Sequence, residues 1–141
     1  MTGLMLTLVL QSAVLANGTQ SYEEAYKESE RTGQPLVILI GSDYCGPCRQ
    51  MKSETIPEVN RRGRLKRVSL GLVNADEDPM ANQLMTGKSI PQLIMFTRSA
   101  NGWKKSQIIG AATPEQLEAF IDQGLSIHMA KKPSDPLSVK N

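Results

Sequence analysis

SDYCGPCRQM, residues 42–51, holds the only two cysteines of a 141-residue chain, and its reading decides the fold. Cys45 and Cys48 are separated by Gly46 and Pro47, a spacing open to three readings: a redox couple, half of a metal site, or a covalent staple. A structural zinc site takes four ligands, usually from two such pairs or from a pair with two histidines. Here the only histidine is His128, near the chain's end, and no further cysteine exists. A disulfide closing so short a loop removes little chain entropy, so a staple gains little. A redox couple needs a reachable thiolate and a partner that releases what it attacks. The segment meets both demands if the cysteines open a helix. Cys45 then lies at or near the N-cap, where free N–H groups and the helix dipole favour negative charge. Pro47 suits the first turn, where its missing N–H is not needed, and Cys48 faces Cys45 from one turn inside.

The flanking sequence supplies that helix with a sheet. LVILI, Leu36–Ile40, is apolar without alternation, the pattern of a central strand covered on both faces. Upstream, Ser21 and Glu24 form a capping box, and Tyr22, Ala25 and Tyr26 share one face of a helix reaching about Arg31. Gly33 and Pro35 stop it. Downstream, the cysteine helix is expected to run through Met51 toward Thr55, with Pro57 kinking or ending it. Val68, Leu70 and Leu72 alternate in a strand, Asp78-Pro79 starts a helix over Met80–Met85, and Pro91 opens the strand QLIMFT. Asn101-Gly102 marks a hairpin into KKSQII. Thr113 and Gln116 form a second capping box before the apolar stripe Leu117, Phe120, Ile121 and Leu125. The order is helix–strand–helix–strand–helix–strand–strand–helix, a right-handed βαβ unit joined through a helix to a β-hairpin.

Size and charge set outer bounds. The chain is long enough for one domain with its own core, and a net charge of +2 demands neither nucleic acid nor a membrane as partner. MTGLMLTLVLQSAVLA, residues 1–16, carries no charged side chain and is shorter than a bilayer span. Val14 and Ala16 offer a small-residue cleavage pattern before Asn17, although no Lys or Arg precedes the apolar run. The segment is read as a signal peptide or an uncleaved anchor of similar type; a buried first strand or helix is the alternative. The folded domain is expected over 20–128, and the aperiodic tail 129–141 is expected to be disordered.

At this point the chain resembles the thioredoxin family. VILIGSDYCGPCRQM is similar to the family's strand, active-site loop and second helix. VNADEDPMANQLMTGKSIPQLIMF resembles its third strand, third helix and cis-proline segment, and IIGAATPEQLEAFI its last strand and closing helix. The likeness spans about Tyr22 to Leu125. The opening helix with Gly-Gln-Pro before the strand looks more like extracytoplasmic thioredoxin-like domains than a cytosolic thioredoxin. The resemblance implies an α/β domain with a central mixed β-sheet flanked by helices, and thiol–disulfide exchange. It makes Cys45 the attacking thiol and Cys48 the resolving one, with Tyr44, Gly46 and Pro47 as active-site support. It makes Pro91 the cis-proline whose loop packs beside the disulfide, and Ile90 the residue offering backbone groups to an extended substrate.

Three departures accompany it. Tyr44 stands where the family usually has tryptophan, and Gln92 where a threonine is common. The buried acid and the lysine that many members use to handle the proton of the resolving thiol fall on Leu39 and Leu72. Water or the substrate is then expected to take the proton of Cys48.

Other signals have plainer readings. Arg61–Arg67 carries five positive charges in seven residues and reads as a solvated loop, without the interleaved aromatics of base stacking. Met51, Met80, Met85 and Met95 read as core, His128 as a surface residue, and Trp103 as packing on the sheet edge. Asp43 is either a loop acid or a modulator of the cysteines.

The expected function is thiol–disulfide oxidoreductase, with Gly-Pro between the cysteines resembling reducing members. No cofactor or metal is expected. Partners are protein thiols and disulfides and an upstream redox protein, the molecule a monomer working in the periplasm or secreted; without a functional signal at Met1–Ala16 it would be cytoplasmic. Two alternatives stand beside this: a redox-silent binding or chaperone-like module, and a subunit of a larger assembly with vestigial cysteines.

Overall fold

The computed structural model of the protein describes residues 20–128, so the segments 1–16 and 129–141 discussed above lie outside it. β1 (Gln20–Ser21) passes directly into α1 (Tyr22–Thr32). Ser21 caps that helix: its Oγ accepts from the Glu24 N–H at 3.2 Å, and the Glu24 carboxylate accepts from the Ser21 N–H at 2.8 Å. Gly33, at φ 72°, closes the helix in the left-handed conformation. The two residues of β1 were not expected as a strand. They are too short for any periodicity and pair only because Gly71 and Leu72 lie alongside.

β2 (Leu36–Gly41) is buried along its whole length. It lies at the centre of a five-stranded sheet ordered β1-β3-β2-β4-β5. β3 (Ser69–Asn74) runs parallel to β2, β4 (Gln92–Ser99) antiparallel to it, and β5 (Gly102–Ile109) returns along β4 as an edge. Val37 and Leu39 enter a core with Met51, Leu93, Met95 and Leu117, whereas Leu36, Ile38 and Ile40 enter one with Ala25 and Ala81. Two cores, one per face, are why β2 carries no polar alternation. Each such side chain contributes roughly 1.5–3 kcal/mol of burial free energy.

The cysteine helix runs farther than expected. α2 (Gly46–Gln50) continues through a π-turn (Met51–Thr55) into α3 (Ile56–Arg61). Pro57 does not end it. The Ile56 N–H reaches back five residues to the Met51 carbonyl, so the ladder has already shifted when the proline arrives in the first turn of α3. A 3₁₀ turn (Arg64–Arg67), α4 (Met80–Leu84) and α5 (Pro114–Ile127) complete the chain. Asp78 Oδ1 accepts from the Met80 N–H at 2.9 Å, and the Thr113–Gln116 capping box opens α5.

Two plain readings change. The basic run Arg61–Arg67 is not merely a solvated loop: Arg62 bridges Glu58 of α3 to Glu115 and Glu118 of α5, and Arg64 pairs with Asp122. His128 is no free surface residue. Its Nδ1 accepts from the Arg98 N–H at 3.0 Å and its Nε2 lies 2.6 Å from the Gly33 carbonyl oxygen. Those partners require the neutral ring with its proton on Nε2. Trp103 lies on edge strand β5, half exposed, with the Arg98 guanidinium 4.8 Å over its ring.

Candidate active site

Cys45 is the N-cap of α2, with extended backbone at φ −97° and ψ 115°. Its Sγ accepts from the Cys48 N–H at 3.3 Å, and its carbonyl accepts the first helical bond from the Arg49 N–H at 3.0 Å. Gly46 and Pro47 fill the first turn, where free N–H groups have no intrahelical partner and proline loses nothing. The two cysteines are joined as a disulfide with Cα atoms 5.2 Å apart, so this is the oxidised form. Cys45 is partly exposed, whereas Cys48 is 1% exposed. One sulfur is open to a visitor and the other sits behind it.

The loop before the cysteines is fixed from below. Ser42, buried at the end of β2, donates its hydroxyl to Asp76 and accepts from the Tyr44 N–H at 3.2 Å. Its carbonyl accepts from the Cys45 N–H, also at 3.2 Å. Three contacts on one small residue thus tie the approach to Cys45 to the loop following β3. Tyr44 projects into solvent at 92% exposure, an aromatic surface beside the disulfide. Asp43 is exposed and paired with Lys52 at 3.3 Å.

Beneath Cys48 lies Gly41. A Cβ at Gly41 would come within 2.9 Å of Cys48 Cβ and 3.1 Å of its Sγ, so Cys48 occupies space that any side chain would claim. Leu39, two residues back on the same face, is 2% exposed and registers with Leu72 of β3 and Leu93 of β4. The floor of the site is hydrocarbon.

The other wall comes from β4. Ile40 registers with Gln92, which places Pro91 one step farther along, opposite Gly41. The Ile90–Pro91 peptide is cis, and the Pro91 carbonyl accepts from the Gly110 N–H at 2.8 Å. Among the described residues, neither the N–H nor the carbonyl of Ile90 has a hydrogen-bond partner. A groove of about 560 Å³ opens beside Pro47, with Gln50, Met51, Glu54, Ala111 and Thr113 in its lining. Thr55 Oγ1 donates to the Ala112 carbonyl at 3.0 Å, holding the two sides of this groove together. No group of three or more potential metal-ligating side chains occurs among the described residues.

Sequence reading named Cys45, Cys48, Tyr44, Gly46, Pro47, Ile90 and Pro91, and the fold brings all of them to one end of the sheet. It overlooked Gly41 and Ser42. A glycine following an unbroken apolar strand, just ahead of the cysteines, was the available signal for the first. Ser42 had none, because its partner Asp76 is fixed only by folding.

Strand order β1-β3-β2-β4-β5 with a half-open cysteine pair at a helix start defines a thioredoxin-fold protein with a CxxC site. The thioredoxin family model matches residues 14–123, and the chain belongs to that family. A thioredoxin of Alicyclobacillus acidocaldarius is 30% identical over 94 residues, 67% of this chain and 85% of that protein. Thioredoxin C-2 of Corynebacterium nephridii is 26% identical over 116 residues, 81% and 99% of the two chains. The solved thioredoxin of Thermus thermophilus agrees in fold with a TM-score of 0.63 at 17% identity, over 74% of this chain and 84% of that one. Family membership with this cysteine pair implies thiol–disulfide oxidoreductase activity.

Proposed function

We propose that the protein reduces disulfides in polypeptide substrates through Cys45 and Cys48. The observation that carries this reading is the asymmetry of the pair: Cys45 caps a helix at a partly open position, and Cys48 lies buried behind it. The Cys45 thiolate attacks one sulfur of the substrate disulfide, forming a mixed disulfide and releasing the other substrate sulfur as a thiolate. Cys48 gives up its proton and attacks Cys45 Sγ, which breaks the mixed disulfide and releases the second substrate thiolate. Two electrons pass to the substrate, leaving the Cys45–Cys48 bond seen here; an upstream dithiol donor must then reduce it. Tyr44 and the groove beside Pro47 supply contact surface, and the unpaired Ile90 backbone suits an extended chain added as a strand. Gly46-Pro47 supports the reducing direction by its likeness to reducing members.

The reading includes a place of work outside the cytoplasm, supported by the uncharged apolar stretch at residues 1–16. Fusion of residues 1–20 to an export reporter tests it, retention of the reporter inside the cell being the contrary result.

Cys48→Ser tests the chemistry by accumulating mixed disulfides that Cys45→Ser does not form. If Cys45→Ser still holds the same polypeptides, binding without turnover is the function. Titration in a glutathione series complements this, because a reduction potential below about −300 mV marks a structural bond rather than an exchanging one.

A further inference from the structure

Gln92 is a fully buried amide, 0% exposed, at the start of a strand whose next four residues, Leu93–Phe96, are all apolar. Each of its polar atoms is used, and every bond goes to the same short loop. Nε2 donates to the Thr86 carbonyl and to the Ser89 carbonyl, both at 2.8 Å, and Oε1 accepts from the Thr86 N–H at 3.2 Å. Thr86 is also tied outward, its hydroxyl donating to Gln107 Oε1 at 3.1 Å. The loop from α4 to β4 therefore takes its shape from one side chain that follows it. Once the Ser89 carbonyl is occupied, the next backbone groups are the unpaired N–H and C=O of Ile90.

We propose that Gln92 is the positioning residue of the polypeptide-binding edge: it holds Thr86–Ser89 so that the Ile90 backbone is presented to an incoming extended chain. It touches neither the cysteines nor the substrate. A buried amide costs free energy unless every donor and acceptor is paired, and here the pairing is complete and confined to that loop. The residue therefore tunes affinity for long substrates more than thiol chemistry. The inference rests on the disulfide reductase reading above.

The test compares Gln92→Met, which keeps length and loses all three bonds, with Gln92→Glu, whose carboxylate would face two carbonyl oxygens. With dithiothreitol as the dithiol donor, turnover is measured with an unfolded disulfide-bonded polypeptide and with hydroxyethyl disulfide, which has no peptide backbone to pair with Ile90. KM for the polypeptide should rise roughly tenfold, the effect of losing about one well-placed hydrogen bond. Its kcat and the kcat/KM for hydroxyethyl disulfide should each change by less than about twofold. Equal losses on both substrates, or no change on either, would overturn the proposal. Wild-type protein that turns over neither substrate would instead remove the reductase reading. Amide exchange with Gln92 intact gives a check independent of turnover and of how the Gln92 variants fold. The Thr86 N–H should be protected and the Ile90 N–H should exchange freely until a polypeptide is trapped on Cys48→Ser. A Thr86 N–H exchanging as fast as that of Ile90 would also overturn it.

Discussion

Leu39 of β2 and Leu72 of β3 are register partners, two apolar side chains side by side in the core beneath Cys48. These are the positions at which the family resemblance places an acid and a lysine. With hydrocarbon there instead, no titratable group of the floor takes the proton of Cys48.

Leu39→Asp should therefore create a base. Burial raises the pKa of a carboxylate above the ordinary value of about 3.9, so the new group is neutral at low pH and acts only as pH rises through the raised value. Resolution of a trapped mixed disulfide should accelerate over that interval relative to wild type. The substitution should also destabilise the fold by roughly 3–5 kcal/mol, the cost of an unpaired buried charge. A resolution rate unchanged across pH would show that the floor has no part in proton transfer.

Gly41→Ala should disturb the disulfide itself, because the added methyl lies 2.9 Å from Cys48 Cβ and the neighbouring β4 leaves little room to retreat. Overpacking of this kind costs about 1–3 kcal/mol. Borne by the oxidised form, that corresponds to a reduction potential higher by roughly 20–60 mV. Glutathione titration measures it, and an unchanged potential with unchanged melting temperature would contradict the close contact.

The Arg62 cluster should make stability depend on acid pH and on salt. Hydrogen bonds from Arg61 and then Arg62 hold the Glu58 carboxyl below its usual range, and its own backbone N–H followed by Arg62 does the same for Glu115. Folded values below the unfolded ones mean a contribution present above about pH 4.3 and lost as pH falls through the lowered values. Arg61 and Glu115 are open to solvent and Glu58 and Arg62 partly so, and the effect is therefore small and screened. Melting curves of wild type and Arg62→Ala should converge in acid and in high salt; a difference independent of both would assign Arg62 a packing role.

His128→Ala should loosen the junction where the α5 terminus, β4 and the turn after α1 meet. It removes an acceptor for the Arg98 N–H and a donor to the Gly33 carbonyl. A loss of about 1–3 kcal/mol is expected from groups left unpaired, read by chemical denaturation. Equal stability of the two proteins would mean that water replaces the ring at no cost.

Much of this protein is written locally. Helix ends at Ser21, Gly33 and Thr113, the two-sided burial of β2, and the placement of Cys45 at a helix start all depend on residues within about a turn of one another. Caps, apolar periods and the cysteine pair made them legible in the chain. Pro57 does not end the helix because the rule that proline stops one assumes an unbroken α-helical ladder, and the π-turn ahead of it has changed that ladder. Tertiary structure alone decided the rest. The Ser42–Asp76 contact, the His128 bridge, the Arg62 cluster and the amide of Gln92 each join residues on different elements. Their bonds depend on strand register and helix packing, and no short-range pattern of residue types encodes those. Thus the cysteine pair belongs to the sequence, and the loop, floor and neighbouring strand around it belong to the fold.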